Sequence, residues 1–101
     1  MVSACDLTRV QLDALSVLAE RHRTGADIIR ELEAQYDSAP HPSTVYHHLD
    51  SLVDDDLVRK EESGGSGRAN RYRITDAGEG VVREYVAALA VRVQTGEFHP
   101  G

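Results

Sequence analysis

The sequence predicts a mainly α fold with one small β-hairpin and a long closing helix. Three observations carry that expectation. Apolar residues recur at i, i+3, i+4 spacing in four separate stretches. Between the third and fourth, Arg71-Tyr72-Arg73-Ile74 alternates polar and apolar after a glycine-rich segment, Ser63-Gly64-Gly65-Ser66-Gly67. The chain has 101 residues, 41% of them hydrophobic, which suits one domain, since a single core needs roughly 100 to 150 residues.

The elements follow from local punctuation. Thr8 with Gln11 three residues later forms a capping box, opening a first helix with Leu12, Leu15, Leu18 and Ala19 inward. Residues 22–24 read as a short break, and Thr24 caps a second helix carrying Ile28, Ile29, Leu32 and Tyr36, ending near Asp37-Ser38. Pro40 and Pro42 prevent continuation, and Pro42 suits the first position of a third helix that runs to about Asp55. Leu57 to Glu62 reads as a strand, Ser63 to Ala69 as a flexible loop, and Asn70 to Thr75 as a second strand with Tyr72 and Ile74 inward. A last helix fills Asp76 to Val93, and residues 94–101 read as a frayed tail. Three helices, a hairpin with a Gly-Ser tip and a helix form the element order of a winged helix-turn-helix: residues 1–75 make the unit and 76–93 close it.

Composition narrows the function classes. One cysteine excludes an intrachain disulfide framework and a four-cysteine zinc site. No apolar run reaches the roughly 20 residues of a membrane span and no charged-then-apolar leader opens the chain, so a cytoplasmic location is expected. Eleven Lys and Arg face seventeen Asp and Glu, a formal net charge of −6, which argues against a generic basic nucleic-acid coat. Lys60 is the single lysine. This acid-rich, lysine-poor composition resembles that of halophilic archaeal proteins, in which carboxylates keep the chain hydrated in concentrated salt; an acidic mesophilic protein is the alternative. By segment, residues 1–58 carry net −7, residues 59–75 net +3 and residues 76–101 net −2. The one basic island therefore coincides with the hairpin, which marks a binding surface; a solvated hairpin with chance arginines is the plainer reading.

Leu7-Thr8 with Gln11-Leu12, Thr24-Gly25 before Ile28, Ile29 and Leu32, Thr44-Val45-Tyr46 with Leu49, Leu52 and Val53, Leu57-Val58 with Lys60, and Asn70-Arg71-Tyr72-Arg73-Ile74-Thr75 running into Gly78 make up a pattern over residues 7 to 80. It resembles the PadR-like transcriptional regulators. The resemblance implies a winged-helix repressor that binds DNA as a dimer, of the short type with one helix after the wing. Asp56 stands where the family usually has glycine before the strand; aspartate tolerates the left-handed conformation better than most residues, so the turn is expected to survive.

Geometry supplies the candidate contacts. On the third helix Val45, Leu49, Leu52 and Val53 form one apolar stripe, and Ser43, His47, Asp50, Ser51 and Asp54 lie opposite, with Thr44 at the edge. The N-terminal part of such a face enters the major groove, so Ser43, Thr44 and His47 are the base or phosphate candidates. Tyr46 lies on the flank, where its hydroxyl reaches either a phosphate or another part of the protein, and His48 reads as a packing residue. Arg68, Asn70 and Arg71 at the tip and far strand are placed for backbone or minor groove, where the guanidinium fork pairs with phosphate oxygens. Lys60, Arg73 and Arg59 rank second. On the last helix Val81, Val82, Tyr85, Val86, Leu89, Ala90 and Val93 sweep about half the circumference, wider than one small domain needs. The excess implies a second surface, most simply the same helix of a twofold partner, and hence a palindromic operator in double-stranded DNA; a helix packed wholly against its own domain is the plainer reading.

Other readings are weaker. Cys5 has no visible activating group, and an inert thiol is the simpler reading. His41, His47 and His48 match no tight ligand pattern on one helical face, which leaves a metal- or redox-sensing regulator of the ArsR type as a minor alternative. A winged helix used as a protein-interaction module is the rival from another class. No phosphate loop, nucleophile motif or enclosed carboxylate pair points to an enzyme, and no cofactor is implied.

Overall fold

Each helix begins where a side chain can satisfy the free amides of its first turn. The computed structural model describes residues 3–62 and 70–94. Helix α1 spans Arg9–Glu20, and the expected box is present: Thr8 Oγ1 accepts from the Gln11 amide at 3.2 Å while Gln11 Oε1 accepts from the Thr8 amide at 2.9 Å. Strand β1 is Arg23–Thr24, and Thr24 caps α2, Gly25–Gln35, by accepting from the Asp27 amide at 3.2 Å. Helix α3 is Pro42–Asp54, with Pro42 in its first turn and His41 as the cap, its Nδ1 accepting from the Ser43 amide at 3.1 Å. Strands β2, Val58–Glu61, and β3, Arg71–Ile74, form the hairpin, and α4 covers Asp76–Gln94. A 3-10 turn at Ala4–Asp6 precedes α1.

The hairpin register sets Val58 opposite Ile74, Arg59 opposite Arg73, Lys60 opposite Tyr72 and Glu61 opposite Arg71. Residues 22–24 are not merely a break. Arg23 pairs with Tyr72 and Thr24 with Arg71, so β1 adds a third antiparallel strand in the order β1-β3-β2. Arg23 is buried at 7% exposure and held by Glu20 at 2.8 Å and Glu31 at 3.2 Å. Asp56 adopts φ 60°, the left-handed conformation expected where a glycine would be easiest.

The core is assembled from Leu15, Leu18, Ile28, Leu32, Val45, Leu49, Leu52 and Tyr72, all fully buried. Helix α1 meets α2, α3, α4 and β3, so its buried arc also takes in Ala14 and Val17. Ala19, expected inward, lies in the last turn outside that arc and is exposed. Helix α2 stops at Gln35, short of Asp37-Ser38, where the Tyr36 amide closes on the Leu32 carbonyl at 3.1 Å. Tyr36 packs beside α1 and donates to Asp13.

The start of α4 is tied to the start of β2. Thr75 Oγ1 accepts from the Gly78 amide at 3.1 Å and donates to the Asp56 carbonyl at 2.7 Å, and the Thr75 amide donates to the Leu57 carbonyl at 3.0 Å. A side chain at Gly78 would collide with that same Leu57 carbonyl and lie 2.7 Å from Cγ1 of Ile74. Val81 is 4% exposed, inside the chain's own core, which corrects its assignment to a partner-facing surface. The i, i+4 stripe of α4 marks residues that need covering, and at Val81 the winged-helix body covers them. Val82 is half-buried, and residues 83–93 are all exposed.

Candidate nucleic-acid interface

Two polar elements stand at the surface. The first is the N-terminal face of α3. Val45, Leu49 and Leu52 anchor the helix in the core, which leaves Ser43, Thr44, His47 and Asp50 exposed. The Ser43 hydroxyl lies 2.8 Å from His41 Nδ1, so the cap also orders the first residue of the exposed face. His48 is half-buried on the flank, and its ring centroid lies 6.2 Å from that of His47. Of the two readings open for Tyr46, the structure favours the one toward the protein. Tyr46 is half-buried, its ring lies against Gly25 at the start of α2, and its hydroxyl oxygen has no hydrogen-bond partner among the described residues. That inward hydroxyl is not presented to a phosphate.

The second element is the outer face of the hairpin. Arg59, Glu61, Arg71 and Arg73 alternate outward and are exposed, three guanidinium groups against one carboxylate. Arg73 Nε donates to Glu61 at 3.2 Å, so part of its charge is engaged within the hairpin. Lys60 sits on the opposite face, across from Tyr72, and is half-buried. Asn70 corrects a second expectation: it is 8% exposed, and its carbonyl accepts from the Gly25 amide at 3.2 Å. It belongs to the joint between the hairpin and α2. Arg68 and the glycine-rich tip lie outside the described residues, as does the tail beyond Gln94.

Tyr72 connects the two elements. Burial pushes its phenol up to about 12, and the negative charge of Asp50 on α3 and the neighbouring Tyr46 act in the same direction. Helix α3 packs against β2, and Tyr72 shares one buried core with Val45, Leu49 and Leu52 of that helix. This joint is not visible in the sequence, although Thr24-Gly25 and Tyr72 both lie within the family-like pattern.

The closing helix offers a surface of another kind. Tyr85, Val86, Leu89, Val91 and Val93 are 36% to 59% exposed. Tyr85 and Leu89 also line a groove of about 320 Å³ shared with Ala4, Cys5 and Leu12. No helix among the described residues is long and apolar enough to cross a membrane.

A capped helix with a polar outer face, backed by a three-stranded sheet whose hairpin is rich in arginine, is the architecture of the winged-helix class, one used by DNA-binding transcriptional regulators. Residues 14–84 match the profile of the Transcriptional regulator PadR-like family, and the chain belongs to it. The family is one of regulators rather than enzymes. Solved structures of RosR from H. salinarum are similar to this chain over most of its length. The RosR crystal form grown from NaBr is 36% identical, with a TM-score of 0.80, covering 89% of this chain and 80% of that one. A RosR complex structure gives 36% identity and a TM-score of 0.79 over 88% of this chain and 78% of that one. ZitR of Lactococcus lactis, a zinc-responsive MarR family member, shares the fold at 23% identity and a TM-score of 0.67, over 90% of this chain and 59% of its own. No curated protein sequence matches the chain.

Proposed function

We propose that the chain acts in the cytoplasm as a homodimer that binds a palindromic operator and represses transcription by occupying a promoter. The observation that carries this reading is the pairing of an exposed polar face on α3 with an apolar strip on α4 that its own body leaves uncovered. Ser43, Thr44 and His47 are the base-reading or phosphate-contacting residues. Arg71, Arg59 and Arg73 on the outer face of the hairpin, together with Arg68, supply phosphate contacts that hold register without reading sequence. Val82, Tyr85, Val86, Leu89 and Val93 form the surface between the two copies. A twofold axis through α4 repeats the α3 face, which requires a palindromic site. The net charge of −6 per chain fits work in concentrated salt, where carboxylate hydration maintains solubility.

Selection of bound DNA from a random pool at high salt tests the reading. The expected product is an inverted repeat with two equal half-sites; enrichment of a single asymmetric site, or none, overturns it. On the selected operator, His47→Ala is expected to change preference at one position per half-site by about 1–3 kcal/mol. An equal loss across all operator variants would make His47 a phosphate contact instead.

A further inference from the structure

The geometry points to Gly25 as a positioning residue that seats the α3 reading face and fixes it to the hairpin. This inference rests on the assignment of α3 as the base-reading helix. Gly25 is the first residue of α2, and its amide donates to the Asn70 carbonyl at 3.2 Å, immediately before β3 begins. On its other side lies the Tyr46 ring. A methyl group at Gly25 would stand 2.6 Å from Tyr46 Cε1, 3.0 Å from its hydroxyl oxygen and 3.1 Å from Cζ. Carbon–carbon contacts are optimal at about 3.5–4.0 Å, so the ring must move by nearly 1 Å to admit one carbon.

Tyr46 cannot yield freely. Its hydroxyl oxygen is buried, and its α3 neighbours Val45 and Leu49 are fully buried. Displacing the ring therefore shifts the backbone that carries Thr44 and His47, the residues two before and one after it. Base-edge hydrogen bonds tolerate little displacement, whereas phosphate contacts by long arginines tolerate more. The missing side chain at Gly25 thus serves discrimination between DNA sequences more than affinity for DNA as such. The first position of a helix accepts alanine readily, so the requirement for glycine here is one of space rather than of backbone conformation.

The test uses the full chain, the operator selected from the random pool and an unrelated duplex of equal length. Gly25→Ala is expected to lower the ratio of operator to unrelated-DNA affinity about tenfold or more, the loss of one good base contact, while binding to unrelated DNA persists. Adding Tyr46→Leu to Gly25→Ala opens the space again and restores most of the ratio, and a urea midpoint for Gly25→Ala close to wild type separates a shifted reading face from a general loss of stability. Tyr46→Phe keeps the ring and is expected to retain the wild-type ratio. Should Gly25→Ala not fold, Tyr46→Trp crowds the same contact with the glycine in place and is expected to give the same fall. An unchanged ratio in the crowded variant overturns the positioning role, and so does a Tyr46→Phe loss as large as that of Gly25→Ala. His47→Ala separates the two assignments. A changed preference at one operator position with a silent Gly25→Ala removes the positioning role alone; no change in preference removes α3 from base reading and the positioning role with it.

Discussion

Helices α1 and α4 are both rich in apolar residues, yet one is almost wholly used by the chain and the other, whose apolar arc is wider, is not. In α1, Leu12, Ala14, Leu15, Val17 and Leu18 are all buried, because α2, α3, α4 and β3 converge on it. In α4 the buried hydrophobic residue is Val81, and from Arg83 to Val93 every side chain is exposed. The difference teaches that periodicity identifies a face that has to be covered without saying what covers it. Fully burying an exposed side chain of valine or leucine size stabilises by about 1.5–3 kcal/mol, so each half-exposed residue of the outer strip of α4 holds roughly half of that in reserve.

The sharpest way to break the comparison is at the joint between its two halves. Gly78→Ala places a carbon against the Leu57 carbonyl, which is main chain and cannot rotate aside. Overpacking of this kind costs about 1–3 kcal/mol or more, and a urea titration is expected to show the loss in the body as well as in α4. An unchanged midpoint would mean that the joint yields.

Next in size is Leu89→Glu, on the uncovered side of the comparison. Leu89 is 41% exposed and at the edge of the groove beside Ala4 and Leu12, so the melting temperature of the isolated fold is expected to fall less than the dimer is weakened. Sedimentation should nevertheless show the dimer lost, because two carboxylates would face each other near the twofold axis. If the variant remains dimeric, another surface joins the copies.

The smallest effect sharpens the covered side. Tyr72 has a phenol pushed up to about 12 by burial, above its ordinary 10.0. Because the folded value is the higher one, its contribution to stability is complete below pH 10 and is lost as pH rises from about 10 to 12. Tyr36, raised to about 12 by burial and by its bond to Asp13, acts in the same direction. Wild type is therefore expected to lose stability over that interval more steeply than Tyr72→Phe, as read by denaturant midpoints across the alkaline range. Parallel curves would show that the Tyr72 phenol ionises as readily folded as unfolded.

What the sequence disclosed depended on the range of the interaction. Thr8 and Gln11 act three residues apart, Asp56 acts through its own φ, and α3 keeps Val45, Leu49 and Leu52 on one face; all were legible. Strand β1 was not, because two residues cannot display an alternation and their pairing with β3 spans nearly fifty positions. The turning-in of Tyr46 and Asn70 was hidden for the same reason. Both meet Gly25, distant in sequence from each, and a flanking position on a helix does not say which neighbour will claim it.

The bonds from Thr75 to Asp56 and Leu57, with no room at Gly78, leave α4 without a hinge at its base. Under a twofold pairing through α4, that rigidity turns the helix into a caliper. Each residue adds about 1.5 Å of reach and 100° of rotation, so the point along α4 at which two copies cross fixes both the gap between their α3 faces and the phase of those faces around the duplex. Operator spacing would then be recorded in main-chain geometry far from any DNA-facing side chain. Relatives with identical reading residues but a shifted crossing point on α4 would recognise the same half-site at a different separation.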